Sequence, residues 1–149
     1  MLRVIDHKFI GREYEPTVYE IGREKMREYA RAVGDESPLI MDNEVGRASE
    51  YVDCIAPPAF ASVYNLMGAA QLFFDPEVKL NMAMLVHGEQ EFEFHKPVKP
   101  GDVITTKGRI VDIMEKGNND LLVYEARSVN RDGELVTVGR ATFVIRGGN

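Results

Sequence analysis

The sequence is poorest in residues that build disulfides, metal sites and membrane spans. It has one cysteine, Cys54, so it can form no internal disulfide, which fits a reducing cytoplasm. Its three histidines, His7, His87 and His95, are scattered, and no Cys/His spacing suits a metal. No stretch approaches 18 consecutive apolar residues, so no membrane insertion is expected. The first 16 residues mix charges with apolar side chains and show no apolar h-region, so no signal peptide is expected. Basic residues are outnumbered 18 to 24, for a formal charge of −6, and no cluster of Lys and Arg gives a nucleic-acid footprint. No linker rich in Ser, Gly or Pro divides the chain, and no repeat recurs in it.

What remains describes one soluble domain spanning 1–149. A chain of 149 residues buries roughly 68–70% of its unfolded surface, enough for a core without metal or disulfide support. The first half reads mainly helical. In GREKMREYARAVG, apolar Met26, Tyr29, Ala30 and Val33 recur at spacings of three and four, and Gly34 ends the pattern as a C-terminal glycine would. Before it, YEPTVYEI has strand composition, and Pro16 points to an edge or a strand start. After it, DNEVGRASEYV reads as a short helix capped by Asp42 or Asn43.

The longest helix is predicted over 57–74, PPAFASVYNLMGAAQLFF, entered at Pro57-Pro58 and stopped by Asp75-Pro76. Its apolar residues cover nearly the whole circumference, the pattern of a buried helix. Four strands follow, in LVHGEQEFEFHKPV, DVITTKGRIVDIM, DLLVYEARSVN and ELVTVGRATFVI, separated by the turn sequences KPGD, EKGNND and NRDG. The expected architecture is α+β, a curved antiparallel sheet wrapped around one long buried helix.

Three segments carry a resemblance: YARAVGDESPLIMD, IAPPAF and QEFEFHKPVKPGDVI. Together they resemble the MaoC-type dehydratases of the hot-dog fold, including the (3R)-hydroxyacyl-thioester dehydratases and the non-catalytic A subunit of the mycobacterial heterodimeric enzyme. The hydratase motif of that family runs Gly-Asp-x-Asn-Pro-x-His-x-Asp. Gly34, Asp35, Pro38 and Asp42 match it, Ser37 stands where Asn is usual, and Ile40 stands where the catalytic His belongs.

The resemblance implies reversible hydration of an enoyl thioester carried on CoA or an acyl carrier protein, with no further cofactor. A histidine suits the base because its unperturbed pKa lies near neutrality. Backbone N–H groups at a helix start suit the enolate oxygen. Candidate residues are therefore Asp35 for catalysis and Ser37, Pro38, Ala56, Ala59, Phe60 and Asn65 for substrate binding, although any buried helix shows such residues too. Asn65 and Gln71, the strongly polar side chains within 57–74, serve equally well as satisfied core amides.

Losing a general acid–base group costs typically about 10²–10⁴ in rate. The chain alone is then expected to be slow, pairing as a homodimer or with a homologous hot-dog subunit that supplies the His. Alternation places His87 and His95 with Glu89, Glu91 and Glu93, opposite Val86, Phe92 and Phe94, on a solvent or interface side, where a bland role is the expectation. Cys54 reads as a small buried hydrophobe, and Asp35, Ser37, Asp42 and Glu44 lack calcium-loop spacing. Two other readings stay open. One is an acyl-thioester binding homodimer without chemistry; the other is an acyl-CoA thioesterase, disfavoured because 57–74 holds no Asp or Glu.

Overall fold

The computed structural model describes residues 4–147. Five strands form one antiparallel sheet: β1 (Thr17–Glu20), β2 (Leu85–Phe94), β3 (Val103–Lys116), β4 (Asn119–Val129) and β5 (Leu135–Arg146). Their order across the sheet is β1-β3-β4-β5-β2. The chain from β3 to β5 is a meander, turned at Gly117 (φ 63°) and at Gly133 (φ 76°) as EKGNND and NRDG require. β1 begins just after Pro16 and lies at one edge, as the proline suggests.

β2 does not pair with the next strand. KPGD forms a tight turn, with Gly101 at φ 87° and the Lys99 N–H bonded to Asp102 Oδ2 at 2.8 Å, but it leads into a crossover. β2 instead pairs with β5, from Leu85↔Ile145 to Phe94↔Thr137. Its other side is an open sheet edge ten residues long.

Helix α1 (Arg23–Val33) follows β1, buries Met26 and Ala30, and ends at Gly34. Gly34 takes the left-handed conformation (φ 75°) that closes a helix and that residues with a Cβ adopt at a cost. Two short helices follow, α2 (Pro38–Met41) and α3 (Asn43–Ala48). Asp42 rather than Asn43 caps α3, its Oδ1 accepting the N–H groups of Glu44 (2.8 Å) and Val45 (3.3 Å).

The central segment is shorter and more broken than its composition predicts. A 3-10 turn (Pro58–Phe60) leads into α4 (Ala61–Tyr64), and four residues later α5 (Ala69–Phe73) resumes. The reason lies on the sheet. Asn65 points inward and donates to the Ala126 carbonyl (3.1 Å) and to Ser128 Oγ (2.9 Å). Ser128 in turn meets Thr106 at 2.6 Å, and Thr106 donates to the Tyr64 carbonyl at 3.2 Å. Gly68 sits where a Cβ would come within 2.9 Å of the Tyr124 hydroxyl. The helix is thus interrupted where Asn65 and Gly68 meet β3 and β4.

Two apolar clusters fill the concave side. One joins Ala69 and Leu72 to Ile110, Leu122, Tyr124, Phe143 and Ile145. The other joins Met26, Ala30 and Ile40 to Cys54, Ala56, Phe60, Tyr64, Ile104 and Val136. The outer face of the central segment stays apolar without being covered: Met67 is 44% and Phe74 80% exposed, and Ala70 between them is exposed as well. Burial on all sides, expected from composition, therefore does not hold within the single chain. No helix among the described residues is long and apolar enough to cross a membrane.

On the convex face the charges alternate across the sheet. Glu91 meets Arg140 (2.8 Å), Arg140 meets Glu125 (3.0 Å), and Glu125 meets Arg109 (3.0 Å), one residue from each of β2, β5, β4 and β3. Cross-strand opposite charges of this kind hold register and keep the face wet.

Candidate functional site

The motif turn is built by the end of α1. The Gly34 N–H bonds to the Arg31 carbonyl and the Asp35 N–H to the Ala30 carbonyl (2.9 Å), which fixes the backbone of the turn. Asp35 is half-buried, and its Oδ1 accepts the Ser37 N–H at 3.2 Å. Ser37 opens α2 without a side-chain capping bond, and Pro38 follows it, exposed.

Ile40 ends the resemblance to a working acid–base pair. It is 3% exposed and lies in the cluster of Met26, Ala30, Cys54 and Phe60. An alkyl group packed there neither takes nor gives a proton. Asp42, the last motif residue, spends its carboxylate capping α3.

The fold does bring this turn to the start of the central segment. Ala56, Phe60, Ala61 and Tyr64 belong to the same buried cluster as Ile40. Tyr29 of α1 locks the junction, donating to the Ala59 carbonyl (2.9 Å) and meeting Ser62 Oγ at 3.0 Å. Its ring stands edge-on to Phe60 at 5.4 Å. The candidate backbone donors are mostly engaged: the Ala56 N–H bonds to Val98 (2.9 Å) and the Phe60 N–H to Pro57 (2.9 Å). Pro57 and Pro58 have no N–H. Ala59, exposed, is the donor of that stretch left to consider.

Asn65 is fully buried with both amide protons directed at β4, as a core amide would be, while its Oδ1 has no partner. Gln71 ties down the N-terminal arm, accepting from the Glu15 N–H and donating to the Glu15 carbonyl. Cys54 is buried, its Sγ 3.4 Å from the Asp42 carbonyl. Among the described residues, no group of three His, Cys, Asp or Glu side chains is placed to hold a metal.

An apolar cavity of about 220 Å³ opens beside the helix start. Ile55, Ala56, Pro57 and Pro58 form one wall, Phe94 to Val98 the other, and Tyr64 also lines it. Asp35 and Ile40 are not among its lining residues. Tyr64 was not a candidate in the sequence, nor was Phe94, which is 50% exposed beside the cavity. The Tyr64 hydroxyl pairs with Thr137 at 2.7 Å; burial pushes its phenol up and the Thr137 contact offsets part of that. Pro97 and Val98 belong to the KPV stretch, whose reading as a strand end concealed this role.

The histidines need one correction. Gly88 is an extra residue in β2, so the pairing shifts between His87↔Phe143 and Glu89↔Thr142. The bulge reverses the alternation, and His87 shares the concave side with Phe92 and Phe94 rather than with the glutamates. Its ring lies 5.2 Å from that of Phe143 and its Nε2 3.1 Å from Gln90 Oε1. His95 stays with the glutamates, 2.8 Å from Glu93. His7 is exposed in the 3-10 turn His7–Phe9 of the N-terminal arm, whose Phe9 is buried.

Comparison with known proteins agrees with this architecture. A relative described as a UPF0336 protein, from Saccharopolyspora erythraea, is 42% identical over 144 residues, covering 96% of this chain and 92% of its own. The (3R)-hydroxyacyl-ACP dehydratase complex HadBC of Mycobacterium tuberculosis contains a chain with a TM-score of 0.80 and 31% identity, over 91% of this chain and 96% of that one. The (R)-hydratase PhaJ1 of Pseudomonas aeruginosa shares the fold, with a TM-score of 0.71 at 18% identity over 94% of this chain and 83% of that one. The family described as the FAS1-like dehydratase domain region matches residues 8–138, and with nearly the whole chain inside that match, the protein belongs to this family of MaoC-like hot-dog dehydratase domains.

Proposed function

We propose that this chain is the acyl-binding subunit of an (R)-specific enoyl/3-hydroxyacyl-thioester hydratase, and that a homologous hot-dog partner supplies the catalytic imidazole. The observation that carries the reading is Ile40, sealed in the core where the motif calls for His. The substrate is a thioester on CoA or acyl carrier protein, its tail in the 220 Å³ cavity between Ile55–Pro58 and Phe94–Val98. Asp35, outside the lining of that cavity, is assigned to the thioester end, where its carboxylate orients water or complements charge; Ala59 is the backbone donor assigned to the helix start. The chemistry of abstracting the α-proton falls to the partner.

The surface supports a partner. The outward line of Met67, Ala70 and Phe74 is an apolar stripe on a central segment that already packs its inner side on the sheet. β2 offers a long unpaired edge that ends at the half-exposed Phe94 and is preceded by Met82 (45% exposed) and Met84 (37%). Joining two such edges continues the sheet and covers the helices. The HadBC chain that superposes on this one is part of a complex.

The test is hydration of crotonyl-CoA, followed by absorbance. The purified chain alone should stay at the uncatalysed rate, and the complex recovered from the native host should turn over. Asp35→Asn in that complex should lower turnover with binding retained. Rapid hydration by the isolated chain, undiminished by Asp35→Asn, would remove the assigned roles. The same burial of Ile40 also supports a second reading, a binding homodimer without chemistry, and an inactive native complex that still binds crotonyl-CoA would favour it.

A further inference from the structure

The open edge of β2 carries a charge pattern that bears on which partner it accepts. Beyond the bulge, Glu89, Glu91 and Glu93 project to the convex face, while Gln90, Phe92 and Phe94 face the cavity side. Two of the three carboxylates have local partners. Glu91 shares Arg140 with Glu125, and Glu93 meets His95. Glu89 has no ion-pair partner among the described residues. Arg109 and Arg140 share the buried Glu125, which leaves the row from Glu91 to Arg109 charge-balanced, so the negative charge of the rim rests on Glu89 and on Glu93, whose partner is a histidine.

Consider a second copy pairing with this edge about a two-fold axis. Antiparallel strands that keep the convex faces on the same side pair odd residues with odd residues. Glu89, Glu91 and Glu93 of one copy then face Glu93, Glu91 and Glu89 of the other, or the same set displaced by two. Every such register sets carboxylate against carboxylate at cross-strand spacing, where like charges destabilise. An edge of basic or neutral side chains on the partner removes the repulsion and, if basic, replaces it with paired charges. Such selectivity is obtained by penalising the wrong partner, as interfaces commonly do.

We propose that the glutamate row of β2 discriminates against a second copy of this chain and selects a homologous hot-dog subunit whose matching edge strand carries Lys or Arg on its convex face. This rests on the partnered reading above and names the chemistry of the partner. It also accounts for an otherwise open feature: an edge strand with exposed apolar residues gains protection from self-pairing by charge.

The test is self-association measured by sedimentation equilibrium on the whole chain. For the wild type, raising NaCl from 50 mM to 1 M should tighten self-association about tenfold by screening the rim. E89Q/E91Q/E93Q should self-associate about tenfold more tightly at low salt and lose that salt dependence. E89K/E91K/E93K, carrying a different affinity tag, should capture the wild-type chain at 50 mM NaCl and release it at 1 M. These positions are exposed, and melting curves of each variant check the fold; the wild-type salt series needs no variant at all. A wild-type dimer whose affinity is indifferent to salt and unchanged by the Gln substitutions would overturn the proposal. So would failure of the Lys variant to capture the acidic chain. Failure of crotonyl-CoA binding, by contrast, would sink the hydratase reading and leave these association results standing.

Discussion

Replacing Ile40 with histidine restores the motif on paper, and the structure says what that does. Ile40 is 3% exposed among Met26, Ala30, Cys54 and Phe60. Removing its buried side chain forfeits about 1.5–3 kcal/mol of apolar burial. An imidazole nitrogen left there without a partner adds about 1–3 kcal/mol. Ile40→His should therefore destabilise the fold by about 3–5 kcal/mol, lowering Tm by roughly 10–15 °C in a chain of this size. Ile40→Val, which keeps the chemistry and trims the volume, should cost only about 0.5–1.5 kcal/mol.

The pH dependence sharpens the argument. A buried imidazole resists protonation, so its folded pKa falls below the unfolded value near 6.5. The unfolded chain then binds more protons, and Ile40→His should lose further stability as pH falls from about 7 to 5. The assay is thermal or urea unfolding at several pH values, with crotonyl-CoA hydration measured on the folded variant. Hydration should stay absent, because the side chain packs into the core rather than into the cavity beside Tyr64 and Phe94. A variant as stable as wild type, with no added pH slope or with new hydratase activity, would refute the claim that this position is closed core.

Three other outcomes follow from particular contacts. A Cβ at Gly108 would overlap the Tyr124 hydroxyl, so Gly108→Ala should cost more than about 2 kcal/mol, and Tyr124→Phe, which removes a buried hydroxyl with no partner, should recover part of that in the double variant; urea denaturation reads both. Arg23 holds the Asp53 carboxyl below its ordinary value through bonds at 2.9 and 3.0 Å, so this pair contributes stability at neutral pH that is lost as pH falls through the folded pKa; Arg23→Ala should flatten the acid limb of the Tm–pH curve and leave neutral-to-alkaline behaviour little changed in shape. Asn65→Ala should cost about 2–3 kcal/mol, because Ser128 Oγ and the Ala126 carbonyl lose a buried donor, and hydrogen exchange should rise first around β4.

Local chemistry explains which parts of this molecule can be read from residues alone. The spacing of Met26 and Ala30 gives the buried side of α1, although Val33, which shares that spacing, ends up 53% exposed beyond the last covering residue. Gly34 and Asp42 act within a few residues of themselves, so their capping roles are legible. The gap between α4 and α5 is not, because its causes, Tyr124, Ala126 and Ser128, lie some sixty residues away. The Gly88 bulge escapes a rule that assumes uninterrupted alternation, and that is why His87 changes sides. The pairing of β2 with β5 is likewise a long-range choice with no turn signal to announce it. At the candidate site, Asp35 and Ile40 are marked by motif position, whereas Tyr64, Phe94 and Val98 meet only when the crossover brings two distant loops together.

That crossover imposes an order on assembly. Some forty residues separate the end of β2 from the start of β5, the strand that accepts its hydrogen bonds, while β3 and β4 sit on the far side of β5. During synthesis β2 therefore leaves the ribosome with both flanks bare and waits, at usual elongation rates, for seconds before a mate emerges. A nascent chain halted before residue 135 would carry two frayed flanks in place of one, with Phe92 and Phe94 uncovered, and would invite clumping rather than docking.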